Sequence, residues 1–180
     1  MYSRAVAIKV LPGDVNARPE AIARFEREVR AVASEAYFDA RGAMNNHRAG
    51  THTLLDYYTA FNSFDVREIL PYFHEPTLLL GPEGAFAAPT HDVLTPVLTT
   101  VIESLRARGF GRSELTVRRA ESLSANTTVV TGVAVRYTVD GQELERVGVT
   151  YVLHNADSHW KIAVLIVHDA NAPIGLSTPQ

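Results

Sequence analysis

The sequence contains no cysteine among its 180 residues. Disulfide bonds, thiolate nucleophiles and cysteine metal ligands are therefore excluded, and the redox compartment is left open. The sequence also lacks a strong net charge of either sign, because 17 basic and 20 acidic side chains leave a formal net charge of -3. This balance gives no electrostatic reason to expect nucleic acid or an anionic membrane as a partner.

Long apolar runs are missing as well. No stretch approaches the roughly 18 residues of a membrane span, and the N-terminus lacks the apolar core of a signal peptide. We therefore expect a cytoplasmic protein with no membrane partner. Because 46% of the residues are hydrophobic, the chain is able to bury a core of its own.

Residues 1–33 carry a pattern known from protein kinases. The letters VAIK at residues 6–9 place Lys9 where a kinase strand carries its phosphate-binding lysine, and Glu28 in a following amphipathic helix stands where the lysine's partner would stand. The segment resembles a fragment of the small lobe of bacterial serine/threonine kinases. As a fold element it would be a strand and a helix appended to the rest of the chain.

The other parts of a kinase are missing from the sequence. Only five residues precede Val6, so no glycine-rich loop covers the phosphates, and no D-F-G or A-P-E triplet occurs. The nearest approach to H-R-D, at residues 46–50, has Ala49 in place of the aspartate. Without a metal-binding carboxylate or a base, phosphoryl transfer has no means of stabilising its transition state. We expect no kinase activity.

The remaining sequence predicts one α+β domain over residues 51–172. Residues 34–50 show little apolar periodicity and are interpreted as a linker, and residues 173–180 as a tail. Within the domain the patterns predict a helix, a short helix capped by Asp65, a buried strand, a helix with an apolar stripe at Leu98, Val101, Ile102 and Leu105, and then long strands.

Two turns order the long strands. The pair Asp140-Gly141 is the strongest short hairpin signal, and a four-residue loop at residues 155–158 is predicted before the final strand. Cross-strand pairing about the first turn then places Arg136 opposite Glu145 and Val135 opposite Arg146.

This order of elements resembles the nuclear transport factor two-like superfamily, which includes SnoaL-like proteins and ketosteroid isomerase. Residues 57–73, YYTAFNSFDVREILPYF, are similar to its opening helices, and residues 140–168 to its closing hairpins. The resemblance covers about residues 51–170. It implies a cone-shaped, curved antiparallel sheet wrapped on three helices, with an internal pocket and dimerisation through the sheet. It indicates fold far more than activity.

The strand register sorts the sheet residues into two apolar faces. We take the face with Tyr137, Arg146 and Thr150 as the inner one. The other face is expected to be outer, and an apolar outer face needs a cover. A homodimer is the natural candidate, with docking of the N-terminal helix as the competing explanation. The expected dimer contacts are Tyr151, Trp160, Ile162 and Val164.

The resemblance to ketosteroid isomerase extends to one catalytic group of three. It places the catalytic tyrosine at Tyr57, but the aspartate base falls on Gly81 and the second acid on Thr150. An isomerase of that mechanism is therefore not expected, and whether the protein is an enzyme stays open.

Other candidates for a site surround the expected pocket. His74 near its rim would act as a general base, with Tyr57 as the second catalytic candidate, and Arg146 would anchor a carboxylate or phosphate. A hydrogen-bonded strand entry and ordinary core packing are the alternatives. The predicted ligand-binding residues are Tyr57, Phe61, Phe86, Tyr137, Arg146, Thr150 and Leu165.

The seven histidines never form a helical i, i+4 pair, so neither a metal nor a cofactor is predicted. The leading hypothesis is a SnoaL-like homodimer that binds a small apolar or acidic molecule. The alternative is a non-catalytic association or regulatory module, like the association domains of calmodulin-dependent kinases. An open cavity favours the first hypothesis, and a cavity filled by side chains favours the second.

Overall fold

The computed structural model describes residue 42 and residues 45–172. Contacts between residues divide the chain into two compact units, and all of the described residues belong to the second, Arg41–Gln180. The predicted kinase-like segment with Lys9 and Glu28 lies outside the described residues, as does the predicted tail.

The described residues form three α-helices, one 3-10 turn and six strands. In chain order these are α1 over residues 45–61, α2 at Val66–Ile69, a 3-10 turn at Leu70–Tyr72, β1 at Phe73–Gly81, β2 at Gly84–Ala88, α3 at His91–Ala107, β3 at Phe110–Ser124, β4 at Thr127–Thr138, β5 at Glu143–Ala156 and β6 at His159–His168. Asp65 caps α2 as predicted, because its carboxylate accepts from the backbone N–H of Arg67. None of the described helices is both long and apolar enough to cross a membrane.

Residues 45–50 are helical, which corrects their assignment to a linker. This first part of α1 has no periodic apolar pattern and is held in place by contacts with β4 and with the turn before it. Asn46 donates a hydrogen bond of 2.9 Å to the carbonyl of Ala125, and the buried Gly50 lies against Thr128. Contacts of this kind leave no periodic pattern in the sequence.

The six strands form one curved sheet in the order β2-β1-β6-β5-β4-β3. Strands β1 and β6 pair in parallel, and the other neighbours pair antiparallel. The predicted α+β class is confirmed. Three helices cover one face of this sheet, and the main core lies between the helices and that face. From the helices it includes Leu54, Tyr58, Ile69, Leu94, Leu98, Ile102 and Leu105, and from the sheet Val130, Ala134, Val149, Tyr151, Leu153 and Ile162.

The predicted register between β4 and β5 is right except next to the turn, where Tyr137 pairs with Glu143, but the two faces are exchanged. Arg136 lies opposite Glu145 and Val135 opposite Arg146, as expected. Since Ala134 and Tyr151 belong to the core under the helices, the face that carries Arg136 is the inner one. Both faces of β4 are apolar, so alternation of hydrophobicity does not distinguish them.

The turn between β5 and β6 is shorter than predicted. Ala156 pairs with His159, so only Asp157 and Ser158 form the turn. Their φ angles of 52° and 64° are those of the two-residue turns that suit a twisted hairpin.

A bulge then alters the register along β6. Leu153 pairs with Ile162, whereas Val152 pairs with Val164. The extra residue brings both Ile162 and Leu165 to the inner face. Three of the predicted dimer contacts, Tyr151, Trp160 and Ile162, therefore pack against the inner core, and Val164 alone of the four lies on the outer face.

Candidate functional site

A cavity opens between α1, α3, the β1–β2 hairpin and the inner face of the sheet. Its volume is about 510 Å³, within the range of small-molecule sites. Among the described residues that line it, Arg136 and Glu83 carry a formal charge. The apolar and aromatic lining comprises Tyr57, Phe61, Leu79, Leu80, Phe86, Val97, Leu98, Val101, Leu165 and Val167.

A smaller void of about 30 Å³ adjoins the inner end of this cavity. The two spaces share five lining residues: Tyr57, Phe61, Arg136, Leu165 and Val167. The void adds two further buried tyrosines, Tyr58 and Tyr151. It has room for a water molecule or a polar group of similar size.

Three tyrosines are placed at this inner end by α1 and β5. The rings of Tyr57 and Tyr58 meet edge to face at 5.4 Å, and the ring of Tyr57 lies 6.2 Å from that of Tyr151. Burial raises the pKa of Tyr58 to about 12 and also raises the pKa of Tyr57 and Tyr151. All three hydroxyls are therefore neutral at physiological pH and are suited to donate hydrogen bonds rather than to act as bases.

Arg136 on β4 supplies the positive charge. Its Nη1 donates to Glu145, and Nη2 of Arg108 donates to the same carboxylate. Burial favours the protonated form of Glu145, but the hydrogen bonds from Arg108 and Arg136 outweigh it and lower the pKa of the carboxyl. Nε of Arg136 is buried and has no hydrogen-bond partner within the described part of the chain.

Four of the predicted ligand-binding residues line the cavity: Tyr57, Phe61, Phe86 and Leu165. The other three face the opposite side of the sheet and make contacts there. Arg146 donates to Glu143 at 2.8 Å, Tyr137 lies under the guanidinium of Arg112 at 4.4 Å, and Oγ1 of Thr150 is 3.2 Å from Nε2 of His168. The expected convergence of Arg146 with Tyr57 is therefore wrong.

His74 is likewise absent from the cavity wall. Its Nδ1 is 3.1 Å from the carbonyl oxygen of Pro76, and its ring stacks edge to face with His154 at 5.4 Å. This is the hydrogen-bonded strand entry that was the alternative reading of the histidine. The expected place of His74 at the pocket rim is wrong.

The ketosteroid isomerase acids have no counterpart in the cavity. Gly81, at the position of the base, lines it without a side chain, and Thr150 points to the other face. Glu83, in the turn between β1 and β2, is the one carboxylate among the described lining residues and is exposed. Within residues 45–172, no three His, Asp or Glu side chains form a group able to hold a metal ion.

Sequence reasoning missed Arg136 and Tyr151 as site residues. A signal for them exists in β5, where one alternating set reads Val147, Val149, Tyr151 and Leu153 and the other reads Arg146, Gly148, Thr150 and Val152. The first set is bulkier and more apolar, which indicates the core face. Glu145 lies two residues before Val147 and so on the same face, and its partner in β4 is Arg136.

Comparison with solved structures agrees with the fold. The chain is similar to an NTF-2 like protein of unknown function from Shewanella oneidensis, with a TM-score of 0.55 at 16% identity over 66% of this chain and 95% of that one. A ketosteroid isomerase-like protein from Erwinia carotovora atroseptica gives 0.52 at 20% identity over 67% and 93%. A cystatin-like-fold domain of unknown function from Nostoc punctiforme gives 0.55 at 15% over 65% and 72%.

Identities this low show the fold alone. No curated protein matches the sequence. A family model described as NTF2-like protein (DUF6841) matches residues 50–170, which is most of the chain. The chain therefore belongs to this NTF2-like family.

Proposed function

We propose that the protein binds a small, largely apolar molecule in the cavity between α3 and the sheet, as a SnoaL-like homodimer. The observation that carries this proposal is the open cavity of about 510 Å³. Binding sites for small molecules are typically concave and mostly apolar, with a few polar groups that orient the ligand. The lining here has that composition, with Tyr57 and Arg136 as the orienting groups.

The alternative of a purely structural association module predicts a cavity filled by side chains. The space between Leu98, Phe86 and Leu165 is open instead, so we favour ligand binding. No reaction is proposed, because the cavity wall among the described residues offers neutral tyrosines and one exposed carboxylate rather than an acid and base facing each other.

The homodimer is proposed for the outer face of the sheet. Val129 pairs with Val152, and Val152 with Val164, which gives an apolar row across three strands. Ile166 extends the apolar surface beside Thr150. These four apolar side chains remain partly exposed, and a second copy of the chain would cover them.

The binding proposal is tested with a neutral solvatochromic dye, Nile red, and a library of neutral aromatic compounds in thermal-shift measurements. We expect dye fluorescence to increase saturably and library members to stabilise the protein. Val101→Phe, which projects into the cavity from α3, should weaken binding at least tenfold. Val93→Phe is the matched control, because Val93 lies on the same helix, is similarly exposed and does not line the cavity.

Two results would overturn the proposal. One is that neither Nile red nor any compound of the library binds saturably. The other is a bound compound whose affinity responds equally to Val101→Phe and Val93→Phe.

A further inference from the structure

Arg136 has a buried N–H donor that no described residue satisfies. Its side chain lines both the cavity and the inner void, and it is 20% exposed. Glu145 accepts from Nη1, while the buried Nε has no acceptor among the described residues. A buried N–H without a partner is unfavourable, and such a group in a native structure calls for a specific explanation.

The geometry of the guanidinium defines the missing partner. Since Glu145 occupies Nη1, the edge formed by Nε and Nη2 remains for another acceptor. That edge carries two parallel N–H donors, which match the two oxygens of a carboxylate. Tyr57 lines the same two spaces, and its hydroxyl makes no hydrogen bond within the described part of the chain, so it is a further donor for the same group.

The local charges point to the same partner. Two guanidinium groups, of Arg108 and Arg136, share the single carboxylate of Glu145, which leaves this cluster with one excess positive charge. The hydroxyls of the inner tyrosines are neutral. Glu83, the carboxylate of the cavity wall, lies in the β1–β2 turn and is exposed. Arg146 on the opposite face is already paired with Glu143.

We propose that the ligand is an aromatic or otherwise apolar carboxylic acid, whose carboxylate binds the Nε–Nη2 edge of Arg136 beside Tyr57 and whose apolar body lies between Leu79, Phe86 and Leu98. This inference rests on the proposed function, since it requires the cavity to bind a small molecule. It assigns to Arg136 the role that the sequence suggested for Arg146.

The apolar lining at the mouth and the donors at the inner end fix the orientation of such a molecule. Leu79, Phe86 and Leu98 belong to β1, β2 and α3, whereas Arg136 and Tyr57 adjoin the void. A carboxylate in a partly desolvated site interacts more strongly with a guanidinium than it does in water. A neutral amide of the same shape would keep the apolar contacts and lose the charge-assisted bonds.

The test uses matched pairs of compounds and the full-length protein in isothermal titration calorimetry. The pairs are benzoate with benzamide, cinnamate with cinnamamide, and naphthoate with naphthamide. We expect at least one carboxylate to bind tenfold or more tightly than its amide at neutral pH. Arg136→Met should remove that preference and leave the amide affinity within about threefold. Arg146→Met, on the opposite face, should leave the preference unchanged.

Glu145→Gln keeps the inference testable if Arg136→Met fails to fold. This variant removes the carboxylate that competes for Arg136, so the affinity for the acid should increase and the affinity for the amide should stay constant. Equal affinities for acid and amide, or a preference that persists in Arg136→Met, would overturn the inference while Nile red binding still supports the cavity. If neither the dye nor any of these compounds binds, the proposed function falls together with the inference.

Discussion

The hydroxyls of Tyr58 on α1 and Tyr151 on β5 share a hydrogen bond of 2.9 Å in the core. Tyr58 is 7% exposed and Tyr151 is 2% exposed, so both side chains are buried. The bond ties the first helix to the centre of the sheet at the inner end of the cavity. Each hydroxyl is therefore the hydrogen-bond partner of the other within the described part of the chain.

Because the two hydroxyls are partners, the effects of substituting the two tyrosines on the free energy of unfolding should not be additive. Tyr58→Phe or Tyr151→Phe alone leaves one buried hydroxyl unsatisfied and should lower the free energy of unfolding by about 1–3 kcal/mol. The double variant removes both polar groups and should cost less than the sum of the two. Urea unfolding of the four proteins measures the coupling. Additive losses would show that the bond contributes nothing specific.

The raised pKa of Tyr58 predicts a loss of stability in alkali. Burial raises its pKa from 10.0 to about 12, so between these values the unfolded chain loses the proton while the folded chain keeps it. Stability from this group is complete below about pH 10 and decreases as pH rises towards about 12, by up to about 3 kcal/mol at 1.36 kcal/mol per pKa unit.

Urea unfolding at several pH values between about 9 and 12 checks this expectation. The free energy of unfolding of the native protein should decrease more steeply over this range than that of Tyr58→Phe, which has one fewer buried phenol. Parallel curves for the two proteins would contradict the assignment. Ultraviolet absorbance of the tyrosinate gives an independent titration.

Gly148 lies against His168 across the pair of β5 and β6. A Cβ at this position would be 2.6 Å from the carbonyl oxygen of Asp169, closer than real contacts allow, and the imidazole of His168 lies closer still. Gly148→Ala should therefore displace the C-terminal end of β6 and disturb the contact between Thr150 and His168. Like other overpacking substitutions, it should lower the free energy of unfolding by about 1–3 kcal/mol.

Gly81→Ala is the matched control for that substitution. Gly81 is also in a strand, but a Cβ there meets nothing within 4 Å. Thermal unfolding should show a clearly lower midpoint for Gly148→Ala and a midpoint close to that of the native protein for Gly81→Ala. If both glycines tolerate alanine equally, the close approach of His168 is not a constraint on the fold.

The features that the sequence predicted correctly are local. Asp65 caps α2, and a hairpin turn forms around Asp140-Gly141, because both depend on a few adjacent residues. This turn is one residue longer than predicted, and a register shift between Arg136 and Tyr137 restores the expected pair of Arg136 with Glu145. The assignment of faces is not local. It depends on which of two apolar surfaces the helices cover, and β4 is apolar on both sides, with Val133 and Val135 buried away from the main core beside Ala170.

Leu165 shows how two errors offset each other. The sequence placed it on the face of Thr150, which was taken as inner. That face is outer, but the bulge at Val152 and Leu153 moves Leu165 to the other side, where it lines the cavity. A bulge adds one residue to one strand without a marked change in composition, so periodicity does not locate it. Arg136 and Tyr151 were missed for the first of these reasons alone.

The outer face yields the last prediction, which concerns assembly. Val164 lies in the row with Val152 and Val129 and contributes to the outer surface rather than to the main core. A stable interface buries about 800 Å² on each partner, and a carboxylate placed unpaired within it loses its hydration. Val164→Glu should convert the proposed dimer to a monomer in sedimentation equilibrium with little change in the circular dichroism spectrum.

Leu123→Glu provides the matched control, because Leu123 is 65% exposed near the end of β3. This variant introduces the same charge on an apolar surface residue outside the row and should remain dimeric. A native protein that sediments as a monomer would rule out the dimer proposed for this face. A dimer that persists in Val164→Glu would place the contact on another surface, because a buried unpaired carboxylate within this row is incompatible with tight association.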